Sequence, residues 1–204
     1  MRQIDGHTRL CGLIGNPVEH TMSPVIHNTL AEKEGRNLDY VPFHVEHGQL
    51  GRAVEGAYAL NILGLNVTVP YKEEVTGCLK AVDGMAAQIG AVNTLVRTDG
   101  GYKGYNTDMM GLYRAMCSEG IRLEGEEIIL LGAGGAARAV AFLYASKQAA
   151  KVYLLNRTPE KAWQVAEEVN RASGRECIVP MRTRDHGKIP ADRKYLAIQA
   201  TSVG

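Results

Sequence analysis

Glu127-Ile128-Ile129-Leu130-Leu131-Gly132-Ala133-Gly134-Gly135-Ala136-Ala137 joins a short apolar run to a glycine-rich turn and then to a helical pattern. The spacing is Gly-x-Gly-x-x-Ala. In a strand–turn–helix unit the first glycine makes the tight turn and the second lets backbone approach a pyrophosphate. The small third residue lets helix and strand pack closely. The helix N-terminus adds free N–H groups and the positive end of a dipole. The plainer reading is a structural glycine turn. The strand before it and the helix after it favour a phosphate cradle at Gly132, Ala133, Gly134, Gly135 and Ala136.

Outward from this loop the alternation continues. Residues 127–131, 151–155, 176–180 and 195–200 read as strands, and 135–146 and 159–172 as helices. Such alternation implies a parallel sheet covered on both faces. In a doubly wound sheet the strand after the third returns beside the first, with ligands in the crevice between them. The loop after the last strand, Thr201-Ser202-Val203-Gly204, is therefore expected near the nicotinamide end of a dinucleotide. Four strands stand where a complete unit has six, so the second domain reads as incomplete at its C-terminus and the natural chain as longer.

The end of the second strand speaks to the cofactor. An NAD site has Asp or Glu there to bond the ribose 2′-hydroxyl. This chain has Asn156-Arg157-Thr158, then Lys161. An acid would repel a 2′-phosphate, whereas Arg157 presents a planar fork of donors to it. Thr158 before Pro159 also reads as a helix N-cap. Both readings hold together, and NADP is favoured over NAD.

Towards the N-terminus a second alternation runs through strands at 9–15, 38–45 and 63–69 and helices at 24–34 and 49–60. Residues 71–82 read as helical with a break at Gly77. Residues 91–97 and 102–105 read as a hairpin around Asp99-Gly100-Gly101. In residues 108–119 Met109, Leu112, Tyr113 and Met116 make one apolar helix face, with capping side chains at Asn106-Thr107-Asp108 and a stop at Gly120. This helix opens the second domain. The expected architecture is α/β: an N-terminal α/β substrate domain with a mainly parallel sheet (1–107), then a Rossmann-like doubly wound NADP-binding domain (108–204).

Composition narrows the classes. Of 204 residues, 45% are hydrophobic and 22% charged, which is globular rather than disordered or fibrous. With 23 basic and 22 acidic residues the net charge is +1, which gives no electrostatic reason for nucleic acid or an anionic membrane as partner. No apolar run nears the ~18–20 residues that span a bilayer, and the N-terminus has no apolar signal segment. Cys11, Cys78, Cys117 and Cys177 form no Cys-x-x-Cys pair, which fits free thiols in a reducing cytoplasm. His44 and His47 lie three apart with no further ligand motif, so no metal site is expected.

Three motifs remain. In Gly15-Asn16-Pro17-Val18-Glu19-His20-Thr21-Met22-Ser23-Pro24, continuing to His27-Asn28, Ser23 reads as an N-cap before proline. The Thr21 and Ser23 hydroxyls precede a helix N-terminus, itself an anion site. In Asn66-Val67-Thr68-Val69-Pro70-Tyr71-Lys72 the alternation puts Asn66 and Thr68 on one strand face and Val67 and Val69 on the other. Polar groups on a buried strand need partners, and a ligand is one candidate. The third is Gly90-Ala91-Val92-Asn93-Thr94 with Gly104-Tyr105-Asn106-Thr107-Asp108.

Together with the glycine loop and Asn156-Arg157-Thr158, and in this order, these motifs closely resemble the shikimate dehydrogenase family over nearly the whole chain. The resemblance implies two α/β domains with the active site in the cleft between them. It implies reversible NADP-linked reduction of 3-dehydroshikimate to shikimate, on the way to aromatic amino acids. It implies Lys72 and Asp108 as the catalytic pair and Thr21 and Ser23 as the carboxylate clamp. Thr68, Asn93, Lys72 and Asp108 would hold the ring hydroxyls. A small-molecule substrate follows, and the sequence leaves open whether the chain is a monomer or a homodimer.

The chain departs from the family pattern in three places. Thr21 stands where the family has Ser, and its extra methyl bears on the choice between shikimate and quinate. Gln199 stands where Asn is usual. The family's final part, with a helix returning to the first domain and a substrate-binding glutamine, is missing. The competing readings are a quinate/shikimate dehydrogenase and a non-catalytic sensor of shikimate-like acids or NADP.

Overall fold

A computed structural model describes residues 4–201. The chain packs as two compact units, Met1–Asn106 and Thr107–Gly204.

The first unit is built on a six-stranded sheet. Its elements run β1 (Arg9–Gly15), α1 (Ser23–Lys33), β2 (Leu38–His44), α2 (Leu50–Ala59), β3 (Gly64–Val67), a 3-10 turn (Glu74–Cys78), β4 (Ala81–Val82), α3 (Gly84–Ile89), β5 (Thr94–Thr98) and β6 (Gly101–Tyr105). The sheet order is β2-β1-β3-β5-β6-β4. β1 pairs in parallel with β2 and β3, and β4 with β6. The antiparallel part is the expected hairpin, β5–β6, with β5 also antiparallel to β3. Gly100 and Gly101 turn the hairpin at φ 76° and 153°, where an L side chain would be strained. In α2, Leu50, Val54 and Ala57 fall on one face and are buried. They join Ile62, Leu65, Val67, Tyr71, Val75, Leu95 and Tyr102 in the core. Each large apolar side chain in that cluster contributes about 1.5–3 kcal/mol by leaving water.

Residues 71–82 differ from the helical expectation. They form a short 3-10 turn and then β4, because Lys80 N–H donates to Tyr102 O (3.1 Å) and Asp83 N–H to Gly104 O (2.8 Å). A pairing with β6 thus overrides the local pattern. The short helix α3 was not anticipated. Asp83 caps it, accepting from Met85 N–H at 3.2 Å, and Gly90 ends it at φ 72°. The strand at 63–69 also stops sooner, at Val67. Tyr71 N–H closes a turn onto Thr68 O (2.9 Å) and Val69 is 66% exposed, so Val69 does not share a buried face with Val67.

The second unit runs α4 (Asp108–Ser118), β7 (Glu127–Leu131), α5 (Gly135–Ser146), β8 (Lys151–Asn156), α6 (Pro159–Ser173), β9 (Ile178–Arg182), a 3-10 turn (Thr183–Lys188) and β10 (Leu196–Gln199). Its four strands are all parallel in the order β10-β7-β8-β9. The fourth strand returns beside the first, as a doubly wound sheet requires, and the switch point lies between β7 and β10. Ile128, Leu130, Leu143, Val152 and Leu154 are fully buried between the sheet and its helices. β9 is an edge strand, anchored by the buried Asn170 of α6. The Asn170 Oδ1 accepts from Cys177 N–H (3.1 Å) and Ile178 N–H (2.9 Å), and its Nδ2 donates to Ile178 O (3.1 Å) and Glu176 Oε2 (3.2 Å). Among the described residues no helix is long and apolar enough to cross a membrane.

Candidate functional site

In the first unit the carboxyl ends of β1 and β3 gather most of the expected substrate residues. Ser23 is the first residue of α1 rather than its cap, and Met22 takes the cap position without a side-chain bond. The Thr21 hydroxyl does the capping work instead, accepting from Ser23 N–H (3.2 Å) while donating to Ser23 Oγ (3.1 Å). Tyr40 of β2, which the sequence did not single out, connects this pair to the next strand. Its phenol donates to Asn66 Oδ1 at 2.7 Å, and the Asn66 Nδ2 donates to Asn93 O and to Thr94 Oγ1, both at 3.3 Å. Thr94 Oγ1 in turn donates to Asn93 Oδ1 (3.0 Å). The polar partner that Asn66 needed is thus supplied by the protein. Burial pushes the Tyr40 phenol up to about 12, against a smaller opposing effect of hydrogen bonding to Ser23.

The His27-Asn28 end of the first motif is structural. Asn28 clamps the Tyr40 backbone, Nδ2 donating to its O (2.9 Å) and Oδ1 accepting from its N–H (2.8 Å). The His27 ring stacks on the Tyr40 ring at 4.3 Å between centroids. Together they fix α1, and with it Ser23, against β2.

Thr68 follows β3 directly, its N–H bonded to Ile14 O (3.0 Å). A methyl on Gly15 would overlap Thr68 Cγ2, so glycine there is what lets Thr68 approach. Lys72, half-buried, sits one residue past the fully buried Tyr71, whose phenol donates to Val45 O (2.7 Å). Lys72 O accepts from Val92 N–H (2.7 Å), and Asn93 O accepts from Val67 N–H (2.9 Å). Thr68, Lys72 and Asn93 therefore sit on two adjoining backbone segments, with Asn93 only 8% exposed. Asn106 Nδ2, just before the second unit, donates to Ala91 O (3.0 Å).

In the second unit Asp108 opens α4 and is exposed in its first turn, where the helix dipole favours a carboxylate. Thr107 takes the cap position with no side-chain bond to the helix, so the expected capping is absent there. The glycine loop runs from β7 into α5. Gly132 adopts φ +110°, and a Cβ there would lie 2.7 Å from Ala200 O, so this glycine serves the close approach of the β10 end. Gly134 caps α5 with no side-chain bond, and a Cβ on it would meet nothing within 4 Å. Ala133, Gly135 and Ala136 complete the turn and first turn of the helix, and Ala137 is fully buried against the sheet. Arg138 is held by Glu168 at 2.6 Å, an ion pair joining α5 to α6. At the β10 end, the Gln199 Oε1 accepts from Thr201 N–H (3.3 Å) and Thr201 Oγ1 (3.0 Å). Residues 202–204 of that loop lie outside the described residues.

At the carboxyl ends of β8 and β9, a groove of about 380 Å³ is lined by Arg157, Pro159, Arg182, Thr183 and Arg184. Thr158 stands at the α6 cap but makes no side-chain capping bond. Instead Asn156 Nδ2 donates to Thr158 O (2.8 Å). Lys161 lies exposed in the first turn of α6, outside the groove lining. Arg182 and Arg184 escaped the sequence reading because the third strand was expected to end at 180. The signal was present in the run Arg182-Thr183-Arg184. Among the described residues no cluster of three or more His, Cys, Asp or Glu is placed to hold a metal ion.

A doubly wound parallel sheet with a glycine loop at a helix N-terminus, in a chain that also carries a second α/β unit, defines a two-unit α/β protein of the dinucleotide-binding class. Comparison with protein families matches residues 13–95 to the shikimate dehydrogenase substrate binding domain and residues 115–180 to shikimate/quinate 5-dehydrogenase. The chain is 43% identical over 205 residues to the shikimate dehydrogenase (NADP(+)) of Moorella thermoacetica, covering 100% of this chain and 69% of that protein. It is 48% identical over 166 residues to that of Methanothermobacter thermautotrophicus, covering 81% and 58%. A crystal structure of a shikimate dehydrogenase in complex with NADP+ superposes with a TM-score of 0.90 at 40% identity, covering 99% of this chain and 69% of that one. The chain belongs to the shikimate dehydrogenase family, and spans 58–69% of the length of these two curated relatives.

Proposed function

We propose that this chain performs the reversible, NADP-linked reduction of 3-dehydroshikimate to shikimate. The observation that carries the reading is the gathering of Thr21, Ser23, Thr68, Lys72 and Asn93 at one end of the first sheet. In this reading the Thr21 and Ser23 hydroxyls take the substrate carboxylate at the start of α1, and Thr68 and Asn93 take ring hydroxyls. Lys72 delivers a proton to the ketone oxygen as it becomes a hydroxyl, and takes it back in the reverse direction. Asp108 is the second catalytic residue in this reading.

Features of the second unit fit the cofactor: the open space over Gly134, the side-chain-free cap of α5, and a basic groove with no carboxylate in its lining. Bound NADPH would supply the hydride for the ketone carbon. Gly132 to Ala136 would take the pyrophosphate, Arg157 the 2′-phosphate with Asn156, Thr158 and Lys161 beside it, and Thr201 the nicotinamide end. The four cysteines are free thiols, in keeping with a reducing cytoplasm.

The test is the initial rate of NADP+ reduction with shikimate, with quinate in parallel. Turnover with shikimate, lost in Lys72→Ala, supports the assignment. A Lys72→Ala variant with unchanged kcat removes the lysine from the mechanism. Faster turnover with quinate favours the quinate-active reading. Saturable NADPH binding with no turnover, in this chain and in one extended to its relatives' full length, favours a sensor.

A further inference from the structure

We propose that Arg182 and Arg184 act with Arg157 as one three-guanidinium pocket for a phosphomonoester, so that discrimination of NADP from NAD is shared between two strands. The inference rests on the NADP reading above and extends it to two residues outside the glycine loop and the β8 end. The parallel register pairs Asn156 of β8 with Arg182 of β9. Neighbouring strands lie about 4.8 Å apart, so the residues just beyond this pair, Arg157 and Thr183, leave the sheet side by side. All three arginines line the same groove, with Pro159 and Thr183 completing its wall.

The charge arrangement needs an explanation that folding alone does not supply. Three guanidinium groups around one groove repel one another, and no carboxylate lines it. The acid that follows Arg184, Asp185, pairs with Lys188 instead (3.5 Å). The ion pairs of the described residues leave Arg157, Arg182 and Arg184 without a carboxylate partner. A dianionic phosphate relieves this repulsion and accepts from several planar forks at once. The backbone that carries the two new arginines is held in place. Asn170 fixes the start of β9, and the 3-10 turn Thr183–Lys188, with Ile189 N–H bonded to His186 O (3.0 Å), fixes the backbone of Arg184. With the backbone fixed, only the side-chain rotamers of these arginines have to be ordered on binding.

Calorimetric titration separates the possibilities. The ligands are 2′,5′-ADP, 5′-AMP, inorganic phosphate, NADP+ and NAD+. The proteins are the parent chain, Arg157→Ala, Arg182→Ala, Arg184→Ala, the 182/184 double variant and its double-lysine counterpart. The expected result is that each single change raises the Kd for 2′,5′-ADP and NADP+ by about 5–20-fold, with 5′-AMP and NAD+ within about twofold. The double-lysine variant recovers part of the affinity. The dependence of 2′,5′-ADP affinity on salt becomes shallower in the double-alanine variant. Circular dichroism confirms that each variant is folded. If the double-alanine variant binds 2′,5′-ADP like the parent while Arg157→Ala does not, the inference falls and the NADP reading stands. If the parent itself does not prefer 2′,5′-ADP to 5′-AMP, both fall. Inorganic phosphate binding as tightly as 2′,5′-ADP also overturns the inference, since the groove is then a general anion site.

Discussion

The Tyr40 phenol donates to Asn66 Oδ1 at 2.7 Å and so ties β2 to β3 just where the Thr21–Ser23 turn meets the sheet. Their bond makes one polar cluster out of Thr21, Ser23, Asn93 and Thr94. Tyr40→Phe keeps the ring stacked on His27 and removes the donor. The expected outcome is a loss of about 1–3 kcal/mol in urea unfolding, because a half-buried carbonyl loses its partner. KM for shikimate rises several-fold with kcat little changed, as suits a positioning residue. An unchanged KM would show that the cluster is structural only.

Alkaline stability should report the same phenol. Its proton is held from the ordinary value of 10.0 up to about 12 in the folded chain, chiefly by burial. Between these values the folded state binds more protons than the unfolded one, so stability falls as pH rises. The contribution is intact below pH 10 and lost by about pH 12, a span worth up to about 2–3 kcal/mol. Unfolding midpoints measured from pH 8 to 11.5 should decline more steeply in the parent than in Tyr40→Phe.

Gly132 and Gly134 should respond oppositely to the same substitution. Gly132→Ala forces a Cβ against Ala200 O at φ +110° and is expected to cost about 1–3 kcal/mol of stability. Gly134→Ala meets open space at an ordinary φ of −87°, and should change stability by less than about 0.5 kcal/mol. It should nonetheless weaken NADP+ binding by filling the space over the α5 N-terminus. Thermal unfolding and cofactor titration on the same two proteins check this crossover.

Asn170→Ala removes four hydrogen bonds made by one buried carboxamide. A loss of about 2–4 kcal/mol is expected, since the Cys177 and Ile178 amides are left buried without acceptors. Hydrogen exchange should show these amides as the first in the second unit to lose protection.

The parts legible in the sequence were those whose signal is local. The glycine loop, the alternation of the second unit, the hairpin at Gly100-Gly101 and the return of β10 beside β7 all follow from spacing and turn chemistry. Residues 71–82 misled because β4 owes its extended form to β6, more than twenty residues away in the chain. Helix α3 had its signals, Asp83 before it and Gly90 after it, but six residues are too few to display a helical period. Of the candidate site, hydroxyl and amide residues could be picked out singly. Tyr40 could not, since its role depends on a partner 26 residues on. Arg182 and Arg184 became visible only when β9 was found to run to Arg182.

Pro180 lies in β9, the outermost strand on its side of the second sheet. Cys177 O faces β8, where it accepts from Val152 N–H, while Ile178 O faces away to Asn170. The two-residue alternation therefore turns the Pro180 nitrogen outward, at a point where any other residue would offer an amide proton to an incoming chain. A parallel edge that cannot donate there is a poor template for self-association, so crowded or partly unfolded chains should resist joining through it. Replacing Pro180 by Val would leave the fold intact while making the protein more prone to form β-rich aggregates on prolonged warming.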